Sequence, residues 1–223
     1  MQNYYFGFLW IILSYLIGSL PFGFLISKYS KGIDIRSVGR KQIGATNVFH
    51  YVGRWEGILT GILDVAKGWV VVFFAQQFGL SLWIQIFAGL AAVAGHNWPI
   101  FLKFFGGRGV ATLLGATFAL NTAVFPYAAV VLLLIMFLWD GAPATLIFLL
   151  IYFFLNYCAG QPEHYFFALL AFPIILLKRL TGVKEDFTAS KSKVGAIFSR
   201  LLFDRGGGPR QFPRWRKVQK NGN

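Results

Sequence analysis

Charge is scarce in this chain. Lys, Arg, Asp and Glu make up 13% of its 223 residues, about half the share usual in a soluble domain, which excludes a surface that faces water all round. Cysteine is scarcer still, and a lone Cys158 in an apolar run excludes an intramolecular disulfide framework. Three histidines and eight carboxylates show no spacing that resembles a metal site. No Gly-x-Ser-x-Gly elbow is present, and no metal or other cofactor is expected. Met1–Tyr5 has no positive n-region and no small-x-small cleavage site follows the first apolar run, so that run does not read as a signal peptide.

What is there is apolar: 57% hydrophobic residues and a mean hydropathy of +0.60. Seven apolar segments are marked off by polar or Gly/Pro punctuation, at about 4–27, 57–77, 82–101, 110–120, 122–139, 144–158 and 163–178. The first three reach the ~20 residues that span a bilayer, while the fourth and sixth are short. Asn121 and Pro126 divide the run from Val110 to Trp139. Six cations lie between Lys28 and Arg54, Lys103 and Arg108 occupy the 102–109 loop, and twelve Lys or Arg run from Lys178 to Lys220. The turns near 78–81, 121 and 159–162 carry none. Under the positive-inside rule this puts the N-terminus outside and the C-terminus in the cytoplasm, which seven crossings satisfy. The expected fold is an all-α, polytopic integral membrane bundle over 1–182, followed by a basic cytoplasmic tail over 183–223.

One loop stands out. Gly106-Gly107-Arg108-Gly109-Val110-Ala111-Thr112 puts three glycines and an arginine between two apolar stretches. Glycines let backbone N–H groups approach an anion, a following helix adds its positive end, and Arg108 adds a fork of donors. A phosphate-sized anion at the membrane edge fits this loop; a plain glycine-rich turn is the other reading. Asp64 and Lys67, spaced i,i+3 within an apolar segment, share a helix face and can neutralise one another. Lipid alone would cost either charge ~2.5–3.5 kcal/mol, so they form a helix–helix salt bridge or, with His96, a polar wall of a site. The loop from Asp34 to Val48 mixes cations with small and amide or hydroxyl residues, suited to a phosphorylated molecule or to anionic headgroups.

Taken together, six pieces in order resemble one family, the bacterial acyl-phosphate-dependent glycerol-3-phosphate acyltransferases of the PlsY type. They are Ile17-Gly18-Ser19-Leu20-Pro21-Phe22-Gly23, Asp34-Ile35-Arg36, Ile43-Gly44-Ala45-Thr46-Asn47-Val48, Asp64-x-x-Lys67-Gly68, Gly95-His96-x-x-Pro99, and Gly106 to Thr112. The resemblance implies a seven-helix fold in the bacterial inner membrane. It also implies transfer of a fatty acyl group from acyl phosphate to the 1-hydroxyl of glycerol 3-phosphate, giving lysophosphatidic acid. An acyl phosphate is already activated, so the work left is to hold two phosphates, orient a hydroxyl and stabilise the leaving charge.

The chain also departs from the family pattern. Where the family usually reads Gly-Ser-Gly-Asn before Ile-Gly-Ala-Thr-Asn, this chain reads Gly39-Arg40-Lys41-Gln42. His50 stands for an arginine and Arg108 for a lysine, the 140–144 loop lacks a serine, and the final Arg-His-x-x-Asn stretch is missing. The resemblance then implies Arg108, His50 and Arg40 as catalytic groups. Gly44, Thr46, Asn47, Gly106, Gly107 and Gly109 would bind phosphate, with Asp64, Lys67 and His96 behind them. The alternative is a silent or donor-altered lipid- or phosphate-binding protein on the same scaffold. In the tail, cations around Trp215 favour anionic headgroups, with no nucleic-acid motif; residues 191–203 read as a short surface helix.

Overall fold

The computed structural model describes residues 2–139, 141–181 and 193–204, and among these every regular element is helical. The first apolar run breaks at Ser19–Pro21 into α1 (Gln2–Gly18) and α2 (Phe22–Lys31), because proline supplies no N–H to continue the ladder. A short α3 (Ala45–Tyr51) follows, then α4 (Arg54–Gln77) and α5 (Leu82–Asn97). The latter stops ahead of Pro99, four residues before the end of its apolar run, and a 3-10 turn covers Ile100–Leu102. Next come α6 (Val110–Leu120), α7 (Phe125–Leu138), α8 (Gly141–Cys158) and α9 (Pro162–Leu180). Asn121 and Pro126 do separate α6 from α7. Finally α10 (Lys193–Phe203) forms where the sequence predicts a surface helix.

Among the described residues three stretches are long and apolar enough to cross a membrane: Tyr5–Lys31, Arg54–Gln77 and Gly141–Cys158. α6 and α7 are shorter apolar helices. Exposed Phe, Leu and Trp side chains, such as Phe137 and Leu138 on α7, make the outside of the bundle apolar.

Close backbone approach organises the bundle. Gly68 of α4 lies against the Thr112 carbonyl of α6, and Gly115 of α6 against the Val65 carbonyl of α4. Gly18 and Gly95 make the corresponding contact between α1 and α5. Helices in lipid gain from such close packing because no hydrophobic drive pulls them together. The larger core, with Val72, Ile86, Leu113, Phe148 and Phe167, sits between α4, α5, α6, α8 and α9. A second, small cluster of Ile35, Ile43, Val48 and Leu102 ties the 33–44 loop to α3 and the 3-10 turn. α10 packs on α8 and α9, so this part of the expected tail belongs to the folded body. The break at 206–209 and the cations around Trp215 lie outside the described residues.

Candidate functional site

Asn47 builds the first loop. Its buried amide donates to the carbonyls of Ile35, Val38 and Gln42 at 3.3, 3.1 and 2.9 Å, and its oxygen accepts from the Arg40 N–H at 3.0 Å. Every direction of the side chain is thereby used on backbone, so Asn47 shapes the loop and has no donor to spare for a ligand. Asp34 and Arg36 pair at 2.7 Å, with the guanidinium 4.7 Å from the Phe24 ring centroid. That hydrogen bond holds the Asp34 carboxyl below its ordinary value. Gly44 caps α3 with open space where a side chain would stand, and Thr46 and His50 lie on its exposed side.

Asp64, Lys67 and His96 form one buried cluster, as the spacing predicts for the first two. Lys67 Nζ is 2.9 Å from Asp64 Oδ1, and His96 Nδ1 is 3.4 Å from the same oxygen. Lys67 also donates to the Leu20 carbonyl at 3.1 Å, one of the acceptors freed by the α1–α2 break. The cluster joins the glycine-rich loop through His96, whose carbonyl accepts from the Gly107 N–H at 3.1 Å.

The loop glycines are dictated by this packing. A side chain on Gly107 would strike the His96 ring, and one on Gly106 the backbone of His96 and Asn97. Gly109 has φ +72° and sits over the Asn97 amide at the start of α6. Behind it, Asn97 and Thr112 are fully buried with side-chain polar atoms that have no partner.

Arg108 is where the separate pieces meet. Its Nη1 donates to the Lys178 carbonyl at the end of α9, at 2.6 Å. With the Gln42 amide turned to offer its oxygen, Nε and Nη2 donate to it at 2.9 and 2.8 Å. Nη2 also lies 2.6 Å from Asp204 Oδ1. Burial holds the Arg108 pKa below its ordinary value, and the group stays charged. Around Asp204 the charges of Arg108, Arg179, Arg200 and Arg40 all act, and Lys178 faces the same carboxylate. The Lys178 ammonium is itself 5.4 Å from the Trp98 ring centroid.

Among the described residues Arg40, Arg108 and Lys178 share the surroundings of Asp204, a cationic setting that suits a phosphate. The expected groups Arg40 and Arg108 are thus brought together. Gln42, Lys178 and Asp204 were not expected as neighbours, although Asp204 is the lone carboxylate in residues 191–223 and so carried a signal. An apolar groove of about 510 Å³ is lined by Phe8 and Ile11 of α1, Leu90 and Ala94 of α5, and Leu170 and Ile174 of α9.

The family model described as glycerol-3-phosphate acyltransferase matches residues 8–185. Glycerol-3-phosphate acyltransferase 4 of Dehalococcoides mccartyi (strain CBDB1) is 35% identical over 199 residues, covering 86% of this chain and 85% of that protein. The glycerol-3-phosphate acyltransferase of Aquifex aeolicus (strain VF5) is 38% identical over 188 residues, 79% of this chain and 97% of its own. A crystal structure of PlsY, an integral membrane glycerol 3-phosphate acyltransferase in its glycerol 3-phosphate form, matches with a TM-score of 0.72 at 34% identity. That match covers 86% of this chain and 98% of the other. With the match running from α1 to beyond the end of α9, the chain belongs to the glycerol-3-phosphate acyltransferase family, of the integral membrane PlsY type.

Proposed function

We propose that this membrane protein transfers a fatty acyl group from acyl phosphate to the 1-hydroxyl of glycerol 3-phosphate, releasing lysophosphatidic acid and phosphate. The observation that carries this reading is Arg108, placed where the glycine-rich loop, the Gln42 loop and the end of α9 converge in a cationic cluster. The apolar groove extends along α5 and α9 and stops at Ala94 and Ile174, one turn short of Trp98 and Lys178. An acyl chain lying there puts its phosphate end at the cations.

In the reaction the hydroxyl oxygen bonds to the acyl carbon while the bond from that carbon to the phosphate oxygen breaks. Phosphate leaves with the electron pair and carries away the hydroxyl proton. Arg108, Arg40 and Lys178 offset the negative charge that gathers on the leaving group. Arg40 and Arg108 take the place of the smaller or weaker donors usual in the family, and His50 contributes at the rim. Gly44, Thr46 and the N–H groups of Gly106 and Gly109 supply neutral donors to phosphate, while Gly107 spends its N–H on the His96 carbonyl and lets the loop pack. Asn47, Asp64, Lys67 and His96 hold those groups in position.

In this reading the chain crosses the bacterial inner membrane seven times, with its N-terminus outside. Residues 1–182, with α10 packed on them, form the catalytic body, and the basic residues around Trp215 meet anionic headgroups on the cytoplasmic side. Purified protein given palmitoyl phosphate and labelled glycerol 3-phosphate should yield lysophosphatidic acid, with Arg108→Ala reducing turnover at least ~100-fold. Binding without turnover in the unaltered protein would point to a silent scaffold instead. Reporter fusions at Gly79 and Gly222 should fall on opposite sides of the membrane.

A further inference from the structure

The far end of the chain enters the phosphate site. α10 lies across the ends of α8 and α9, burying Ala196 and packing Leu202 on the main core, with Phe203 5.7 Å from Trp139 between ring centroids. Its last turn is pinned by Arg179, which donates from Nη1 to the Leu201 carbonyl and from Nη2 to the Ala142 carbonyl, both at 2.7 Å. Asp204 follows with φ +53°, a left-handed turn that swings its carboxylate onto Arg108.

Two features make this contact exchangeable. Oδ1 is 2.6 Å from Nη2 yet accepts no aligned hydrogen bond, so the attraction is mainly one of charge. The side chain is also 9% exposed, so it has given up most of its hydration to be there. Meanwhile Lys178 takes Nη1 and Gln42 takes the edge formed by Nε and Nη2, so Asp204 faces the part of Nη2 that remains. A phosphate seeking a forked grip on Arg108 therefore meets Asp204 on the side it needs. Two anions on one half-buried guanidinium repel strongly, and a phosphate has the higher charge and more acceptor oxygens. The other side of α10 exposes Val194, Ile197 and Phe198 along one face, next to the end of a membrane helix. Such a face settles at a lipid interface, so the helix has somewhere to go when it lets go.

We infer that Asp204 is an internal competitor for the phosphate site: its carboxylate occupies Arg108 in the resting enzyme, and substrate phosphate displaces it together with α10. This rests on the reading of Arg108 as the phosphate group's partner. It makes Asp204 a residue that sets substrate affinity, and the segment 193–204 a movable wall of the site.

The test uses the full-length protein in lipid vesicles, comparing the unaltered chain with Asp204→Asn and Asp204→Ala. If the docked form outweighs the open one about tenfold, removing the carboxylate should lower the KM for glycerol 3-phosphate by about that factor, with kcat little changed. Inorganic phosphate should inhibit both variants at correspondingly lower concentration. In parallel, spin labels at Tyr29→Cys and Val194→Cys, in a Cys158→Ser background, report the distance from α2 to α10. That distance should lengthen on saturation with glycerol 3-phosphate in the unaltered-Asp204 protein. An unchanged KM in both variants with an unchanged label distance overturns the inference while leaving the acyltransferase reading intact. So does a raised KM, which would make Asp204 a support for Arg108. Failure of glycerol 3-phosphate to bind either form, with Arg108→Ala no different, overturns both.

Discussion

Lys67 Nζ donates to the Leu20 carbonyl at 3.1 Å while pairing with Asp64 at 2.9 Å, so one ammonium closes a broken helix and neutralises a buried carboxylate. The break at Pro21 leaves the Leu20 carbonyl with the Phe22 N–H at 3.1 Å in place of a helical donor, and the lysine two helices away supplies a second. His96 then links this polar knot to Gly107 and so to Arg108.

Lys67→Met should therefore be costly. It leaves Asp64 buried beside only His96 and uncaps Leu20, and removing one partner of a buried pair costs about 3–5 kcal/mol. Thermal unfolding in detergent should show a clear drop in midpoint. Adding Asp64→Asn to Lys67→Met should recover part of it, because the stranded charge goes too. Equal midpoints for all forms would mean that water reaches the knot and pays its solvation.

Asn47→Ala should act on turnover more than on insertion. The substitution removes four hydrogen bonds that set the path of residues 35–42. With Gln42 no longer fixed, Arg108 loses a partner on its Nε edge. Two or more buried bonds at about 1 kcal/mol each correspond to roughly a 10- to 100-fold loss in kcat/KM. Asn47→Asp should fail similarly, since a carboxylate cannot donate to three carbonyls. Steady-state rates with normalised membrane content check this.

Much of the fold was legible because apolar runs and their punctuation translate directly into helices in lipid. Asn121 with Pro126 parting α6 from α7 is a local event that sequence displays, whereas α5 stops ahead of Pro99 inside a run that reads through 101. The i,i+3 pairing of Asp64 and Lys67 is equally local. The partner of Lys67 at Leu20 is not, because which carbonyl a broken helix frees depends on how α1, α2 and α4 pack. The glycine-rich loop reads as an anion cradle or a plain turn; that its glycines also pack against His96 and Asn97 at contact distance is a demand only the fold displays. Asp204 was visible as an isolated carboxylate, but its approach to Arg108 depends on the docking of α10, and a basic tail gives no hint of that.

Gly109→Ala tests the loop itself. At φ +72° an added methyl group is strained by about 1–2 kcal/mol and also meets the Asn97 amide. The start of α6 and Arg108 should shift together. The expected result is a KM for glycerol 3-phosphate raised severalfold and a modest fall in thermal midpoint. Gly107→Val, which collides with His96, should be worse on both measures. Normal kinetics in both would return the loop to a simple turn.

The loop residues Arg40 and Lys41 can be separated by what each does. Arg40 donates its backbone N–H to Asn47 while its charge acts on both Arg108 and Asp204. Lys41 has φ +53°, a left-handed backbone that glycine adopts without penalty. Returning the loop to the family's usual residues with Arg40→Ser and Lys41→Gly should therefore have two unlike effects. Lys41→Gly relieves strain but also loosens the unfolded chain, so its net effect on the thermal midpoint should be small, within about 1 kcal/mol. Arg40→Ser removes a cation from a site that must hold phosphate, and should raise the KM for glycerol 3-phosphate roughly three- to tenfold. The loss should shrink at high salt, where screening already weakens exposed charges. If the paired substitution instead lowers KM, Arg40 obstructs the site, and the cations at Arg108 and Lys178 suffice for the phosphate.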